Sequence, residues 1–263
     1  MKLKRLFARP QVSRRTWMVW RRNKDVFLKT IKVNFLPPIV EPIIYLAALG
    51  FGLGFFIDEI DGVPYADFLA PALIAITIMN ASFFECTFAS FVRMYFQKTF
   101  DAIVATPLNV DEVITGEILW GATRSTISAT IMLGVITAFG LVHSLWALVL
   151  IPFSFIGGLL FAAIAMCFTA ITPKIDNLNY PTSLFITPMT LVSGTFFPLT
   201  VLPVAVQSVA IAIVPLVHVA QISRDLTFGD ININILWSLL WILAVTGVFF
   251  LIAINLMKRR LIV

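Results

Sequence analysis

Four ionisable residues, Glu41, Glu85, Glu117 and Arg124, stand inside long apolar stretches of this 263-residue chain. A charge at bilayer depth costs on the order of 2.5 to 3.5 kcal/mol or more, so each must face protein or water and find a partner. Two chemistries suit such residues: ion pairing across helices, or a proton relay. Glu117 and Arg124 are seven apart, two helical turns, and so share a helix face. Counting about 1.5 Å per residue from the cytoplasmic ends puts Glu117 shallow, Glu85 deeper and Arg124 deeper still. Arg124 is therefore expected to pair with Glu85, with Glu117 at the cytoplasmic mouth. As structure the cluster is a static ion pair locking two helices; as function it lines an inward vestibule or transmits motion.

Other chemistries find little support. No G-x-x-x-x-G-K-[ST] phosphate loop occurs, so the chain cannot cradle ATP in the usual way. Cys86 and Cys167 stand alone in apolar stretches without a C-x-x-C or a neighbouring histidine, which supports neither a disulfide framework nor a metal site. His143 and His218 are isolated and read as solvated or core residues. Asn80 opens an Asn-Ala-Ser sequon, but one buried in a predicted span.

The elements that position these residues follow from composition. With 59% hydrophobic and 13% charged residues, against about 25% charged in soluble domains, a water-soluble globule is excluded. The net charge of +5 does not indicate nucleic acid, because most of the chain has no water-facing surface. Spans of about 20 apolar residues are expected near 34–57, 66–92, 113–140, 145–171, 182–200 and 234–257: an all-α integral membrane fold of six transmembrane helices at 33–263, behind a basic cytoplasmic segment at 1–32. That segment lacks the apolar core of a signal peptide and is expected to be retained. With six spans and both termini cytoplasmic, the inner segments hold 17 of the 19 Lys and Arg, as the positive-inside bias requires. The outer segments carry Asp58, Glu59, Asp61, Asp67, Asp225 and Asp230 against Arg224 alone. A seventh span would put Lys258, Arg259 and Arg260 outside. The apolar piece after the fifth span, broken by Pro198, Pro203 and Pro215, must then form a re-entrant hairpin or short interfacial helices on the outer face, covered by protein or facing a watery cavity.

Two segments are expected to lie on the membrane. Val12, Val19, Trp20, Val26 and Phe27 share one arc of a helix opposite Arg14, Arg15, Arg21 and Arg22, which describes an interfacial amphipathic helix also bearing Trp17. The plainer reading is a basic tail that only sets topology. In the loop "RMYFQKTFDAIVATPLNVDE", Phe96, Phe100, Ile103 and Val104 recur at helical spacing beside Gln97, Lys98 and Asp101. Pro107 ends that helix, and Asn109 with Glu112 resembles a capping box for the next span. Such a helix must bury its apolar side on the bundle or on a partner. Gly50 and Gly54 permit close helix contact, an unspecific dimer signal since glycine is common in membrane helices.

At this loop the chain resembles the permease subunit of type 2 ABC exporters, nearest the nodulation-factor, polysaccharide and drug export permeases. The residues that carry it are "RMYFQKTFDAIVATPL" (93–108), "VITGEILWGATRS" (113–125) and "SGTFFPLTVLPVAVQSVAIAIVPLVHVAQISRDLTFG" (193–229). The resemblance implies a bacterial inner-membrane homodimer with two cytoplasmic ATPase subunits. ATP and Mg would sit in those partners, with no cofactor in this chain. It implies that the 97–106 helix (Gln97, Lys98, Thr99, Phe100, Asp101, Ile103) couples to the ATPase, with the amino-terminal helix beside it. Transport would proceed by alternating access through a cavity lined by spans one, two and five, with Thr187, Thr190, Ser193, Phe196 and Phe197 along the path. The 24 Phe suit lipid-linked glycans, lipo-oligosaccharides or hydrophobic drugs. The rival is a proton-coupled secondary transporter using Glu41, Glu85 and Glu117, although paired internal repeats typical of such folds are not detectable. A purely structural membrane anchor would not need the Pro-broken hairpin.

Overall fold

The computed structural model describes residues 10–31, 40, 43–57, 59–60 and 62–261; Glu41 and the first residues of the span predicted at 34–57 lie outside them. The described chain is helical apart from one two-stranded hairpin. An amphipathic helix α1 (Thr16–Lys29) precedes a short apolar helix α2 (Ile43–Phe55). Strands β1 (Glu59–Ile60) and β2 (Val63–Pro64) pair antiparallel, Glu59 opposite Pro64. Helix α3 runs Tyr65–Phe96, α4 is the six-residue Thr99–Val104, α5 spans Val110–Ala138 and α6 Leu145–Ile171. A broken helix, α7, covers 175–192. Then come α8 (Val204–Ile213), α9 (Pro215–Phe228) and α10 (Ile233–Leu261).

Helices α3, α6 and α10 are each long and apolar enough to cross a membrane. The 29-residue α5 is equally long, but Glu117, Arg124 and a series of Ser and Thr make it less apolar. It can carry them because much of it is enclosed, packed against α1, α3, α6 and α10. The capping box at its start is present: Asn109 Oδ1 accepts from Glu112 N, and Glu112 Oε2 from Asn109 N, both at 2.9 Å. Gly121 sets how close the core helices come, since a Cβ there would meet Cys86 Sγ of α3 at 2.5 Å and Ala162 Cβ of α6 at 3.1 Å. Helix α10 packs on α6 but buries only 11% of its most apolar stretch, presenting Leu236, Trp237, Leu240 and Leu243 outward.

The piece between the fifth and sixth predicted spans forms two short helices, α8 and α9, bent by 89° at Val214. Pro215 has no N–H to continue the first helix and suits the first turn of the second. Helix α9 packs on α3 and α10, while α8 leaves Val204, Val209 and Ile213 exposed. Arg224 of α9 ties down the preceding strap: its Nη2 donates to Gly194 O at 2.6 Å and its guanidinium lies 4.0 Å from the Phe68 ring.

Several expectations need correction. Helix α1 keeps only part of its expected arc of Val12, Val19, Trp20, Val26 and Phe27: Val19 and Phe27 are buried and Trp20 is half-buried. Its buried stripe is Thr16, Val19, Asn23 and Phe27, seated along α5, with Val12 and Val26 exposed. The seat is Gly116, where a Cβ would lie 2.6 Å from Val19 Cβ. Arg14 and Arg15 precede the helix, and Trp17 is exposed. The loop helix expected at 97–106 is shorter, because α3 persists through Phe96 and Lys98 takes a left-handed φ of 53° that separates the two. Gln97 and Lys98 belong to that turn. Phe100 is buried and Ile103 half-buried, but Phe96 and Val104 are exposed. Gly50 and Gly54 meet Ala66 and Tyr65 of this same chain, so their close approach is spent on α2–α3 packing.

Candidate functional site

The last third of α3 departs from α-helical geometry: Glu85–Ala89 and Val92–Phe96 are π-helical. On an ideal helix positions 85 and 93 would point about 80° apart. The wider π turns take up that offset, and Arg93 Nη1 lies 2.8 Å from Glu85 Oε1. The same guanidinium reaches α5, with Nη2 and Nε at 2.6 and 2.9 Å from Glu117 Oε2. Glu117 is 0% exposed and also accepts from Asn23 Nδ2 of α1 at 2.7 Å and from Ser90 Oγ at 2.8 Å. It therefore does not open on the cytoplasmic mouth; α1 covers it. Glu85 accepts Trp120 Nε1 at 3.0 Å, and Arg124 Nε lies 3.5 Å from its other oxygen. Three helices thus share one network, in which every carboxylate has charged and neutral donors. Such an arrangement offsets the cost of burying charge.

Around this knot the amino-terminal segment is tied to the α4–α5 turn. Arg15 Nη1 donates to Pro107 O at 2.7 Å, Asn109 Nδ2 to Gln11 O at 3.0 Å, and Ser13 Oγ to Glu112. Gln11 N donates to Asp111 Oδ2 at 2.6 Å, and Lys258 Nζ of α10 lies 2.8 Å from the same oxygen. Asp111 is 1% exposed. Arg22 Nη2 contacts Thr99 Oγ1 of α4 at 3.4 Å; burial pulls its guanidinium below the usual value, with Glu117 opposing. On α4, Phe100 anchors inward and Asp101 is exposed, 3.9 Å from Lys98, which is exposed with Gln97 in the preceding turn. Thr99 is half-buried.

A cavity of about 650 Å³ opens beside α3, in the size range of ligand sites. Its apolar wall includes Phe84, Phe88, Met132, Ile186, Leu191 and Phe196. Its polar wall has Thr77, Asn80, Ser128, Thr182, Thr187 and Thr190, and the charged network enters through Glu85 and Arg124. Tyr45 of α2 closes one side. The hydroxyls of Thr77, Thr182, Thr187 and Thr190 donate to backbone carbonyls of their own helices at 2.8 to 3.2 Å. Their protons are spent, so they offer acceptors to the cavity. Asn80 Oδ1 has no hydrogen-bond partner among the described residues. A ligand rich in O–H or N–H donors with an apolar body matches this lining.

Of the expected path residues, Thr187, Thr190 and Phe196 line the cavity. Ser193 does not: it is 1% exposed and its hydroxyl is turned to Thr190 O at 3.0 Å. Phe197 is half-buried outside the lining. The expected set of lining spans lacked α5, which contributes Arg124, Ser128 and Met132. Sequence reasoning also missed Arg93, Asn23 and Trp120. Asn23 had a signal, a polar residue in the 19–23–27 stripe of i, i+4 neighbours. Arg93 had none, because its place depends on the π turns. His143 Nε2 sits 2.7 Å from Asp67 Oδ1, and His218 bonds Ser238 Oγ and Ile211 O; no cluster able to hold a metal occurs among the described residues.

The comparisons with known proteins agree with this anatomy. The model of the ABC-2 type transporter family matches residues 14–228. Nodulation protein J of Rhizobium leguminosarum bv. viciae is 37% identical over 247 residues, covering 93% of this chain and 95% of that protein. Nodulation protein J of Rhizobium meliloti (strain 1021) is 34% identical over 244 residues, 92% of each. The inner membrane transport permease YadH of Escherichia coli (strain K12) is 23% identical over 188 residues, 70% of this chain and 72% of that one. Membrane-length apolar helices, a buried polar knot beside a ligand-sized cavity, and a family match over most of the chain lead to one conclusion: the chain is a membrane transport permease of the ABC-2 type transporter family.

Proposed function

We propose that this permease exports an amphipathic substrate, a lipid-linked glycan, lipo-oligosaccharide or hydrophobic drug, driven by ATP hydrolysis in a separate cytoplasmic subunit. The observation that carries this reading is the cavity itself, where phenylalanines and aliphatic side chains face acceptor hydroxyls across about 650 Å³. A hydrocarbon chain and a sugar or amide head need those two surfaces together. The absence of a phosphate loop from the sequence supports a separate motor, and the name of the nodulation relatives accords with the branch that the residue motifs resemble.

In this reading the chain crosses the bacterial inner membrane six times with both termini in the cytoplasm, and two copies assemble with two ATPase subunits. The knob formed by Gln97, Lys98, Thr99 and Asp101, anchored by Phe100 and Ile103, is the ATPase contact. Its motion passes through Thr99 and the Asp111 junction to α1 and α10. The α8–α9 hairpin caps the outer end of the pathway. Substrate crosses by alternating access as closure of the ATPase pair moves these knobs. The proton-relay alternative draws little support from the geometry, since Glu117 is sealed beneath four donors and Glu85 is held by Arg93 and Trp120.

The test is reconstituted transport of a labelled lipo-oligosaccharide by the permease with its ATPase. Uptake into inside-out vesicles is expected to require ATP and both chains, and to persist when the proton gradient is collapsed. Gradient-driven uptake by the permease alone would overturn the reading.

A further inference from the structure

The charged part of the cavity wall is unevenly satisfied. Glu85 has short bonds from Arg93 at 2.8 Å and Trp120 at 3.0 Å, so it does not depend on Arg124, whose Nε approaches only to 3.5 Å. The two Nη groups of Arg124 have no hydrogen bond to any described residue, although the side chain is only 17% exposed and its guanidinium is 4.6 Å from the Phe27 ring. Three guanidiniums, on Arg22, Arg93 and Arg124, gather around two carboxylates, Glu85 and Glu117, which leaves one positive charge over. A half-used guanidinium within membrane depth is costly to keep. Its planar pair of Nη donors fits a two-oxygen acid group. Among the described cavity-lining residues Arg124 is the sole cation, which suits one acidic group rather than a polyanion.

We propose that Arg124 binds the single acidic substituent, a phosphate, sulfate or carboxylate, of an amphiphile whose chain lies against Phe84, Phe88 and Phe196. The ligand's hydroxyls or amides then meet Asn80 Oδ1 and the acceptor oxygens of Thr187 and Thr190. This rests on the amphipathic-cargo reading above and narrows it to acidic members of that class.

The experiment offers the purified full-length permease equal amounts of 1-oleoyl lysophosphatidic acid and 1-oleoyl glycerol, which differ only in the phosphate, and counts bound adducts by native mass spectrometry. The acidic lipid is expected to be preferred by about tenfold, the worth of one charge-assisted hydrogen-bonded contact. Arg124→Gln should abolish the preference and Arg124→Lys should keep most of it. A variant with Arg14, Arg15 and Arg21 all changed to Gln should leave it intact, which separates the cavity from the basic amino-terminal surface. Equal binding of both lipids, an unchanged preference in Arg124→Gln, or its loss in the amino-terminal variant overturns the proposal and leaves the amphiphile reading standing. Displacement of the acidic lipid by an equal concentration of inorganic phosphate would make this a site for the free ion and overturn it as well. Binding of neither lipid would instead sink the amphiphile reading, and this proposal with it.

Discussion

Arg93 of α3 and Glu117 of α5 form an ion pair of 2.6 Å in which the carboxylate is fully buried. That pair joins two core helices, and Glu117 also accepts from Asn23, so α1 is held by the same charge that joins α3 to α5. Removing one member of a buried pair strands the other, at a cost of about 3 to 5 kcal/mol. Arg93→Met is therefore expected to lower the thermal unfolding midpoint of the detergent-purified protein and its monodisperse yield. The double variant Arg93→Met with Glu117→Gln should recover most of the loss, because the fully buried carboxylate loses its charge together with its partner. Equal damage in single and double variants would show that packing of the arginine stem, and not its charge, dominates.

The seat of α1 on α5 depends on Gly116. A leucine there has no room, since even a Cβ would stand 2.6 Å from Val19 Cβ. Gly116→Leu is expected to lift α1 at a cost of about 1 to 3 kcal/mol, exposing residues 10–31 to limited proteolysis while the core helices remain protected. An unchanged cleavage pattern would mean that α1 is held by its polar ties alone.

On α4 the two sides of one short helix should separate stability from coupling. Lys98→Glu with Asp101→Lys touches exposed side chains 3.9 Å apart, a pair contributing about 0 to 1 kcal/mol. Its expected effect is lost co-purification of the ATPase with an unchanged unfolding midpoint. Phe100→Ala empties a site that is 0% exposed and should cost about 3 to 5 kcal/mol. If the charge reversal leaves ATPase binding and cargo-stimulated hydrolysis intact, the knob is not the docking site.

Asp111 joins the amino-terminal segment to the last helix through one oxygen, bonded to Gln11 N and Lys258 Nζ. Lys258→Met leaves that buried carboxylate with its backbone donor only, at about 1 to 3 kcal/mol. Cross-linking by a flexible bifunctional reagent between cysteines placed at 11 and 259, which keeps Lys258 and the backbone donor of residue 11 in place, should proceed readily, and Asp111→Asn should slow it. Cross-linking indifferent to Asp111 would indicate that the termini are held together by other contacts.

Much of this protein is written locally. Apolar length and charge scarcity dictate membrane-length helices, Asn109 and Glu112 start α5, Pro107 ends the preceding turn, and Pro215 breaks the α8–α9 hairpin; each acts within a few residues, so each is legible in order along the chain. What tertiary structure decided is who meets whom. Gly116 and Gly121 set approach distances only because a second and third helix arrive there, and two π turns swing Arg93 from the loop after α3, where counting places it, into the knot with Glu85 and Glu117. The same physics turned the arc of α1: Val12 and Val26 are as apolar as Val19, yet Asn23 takes the buried place because a carboxylate on another helix needs its amide. Hydrophobicity is a property of a residue and can be read from the sequence, whereas the satisfaction of a buried charge is a property of a set of residues that only the folded chain assembles.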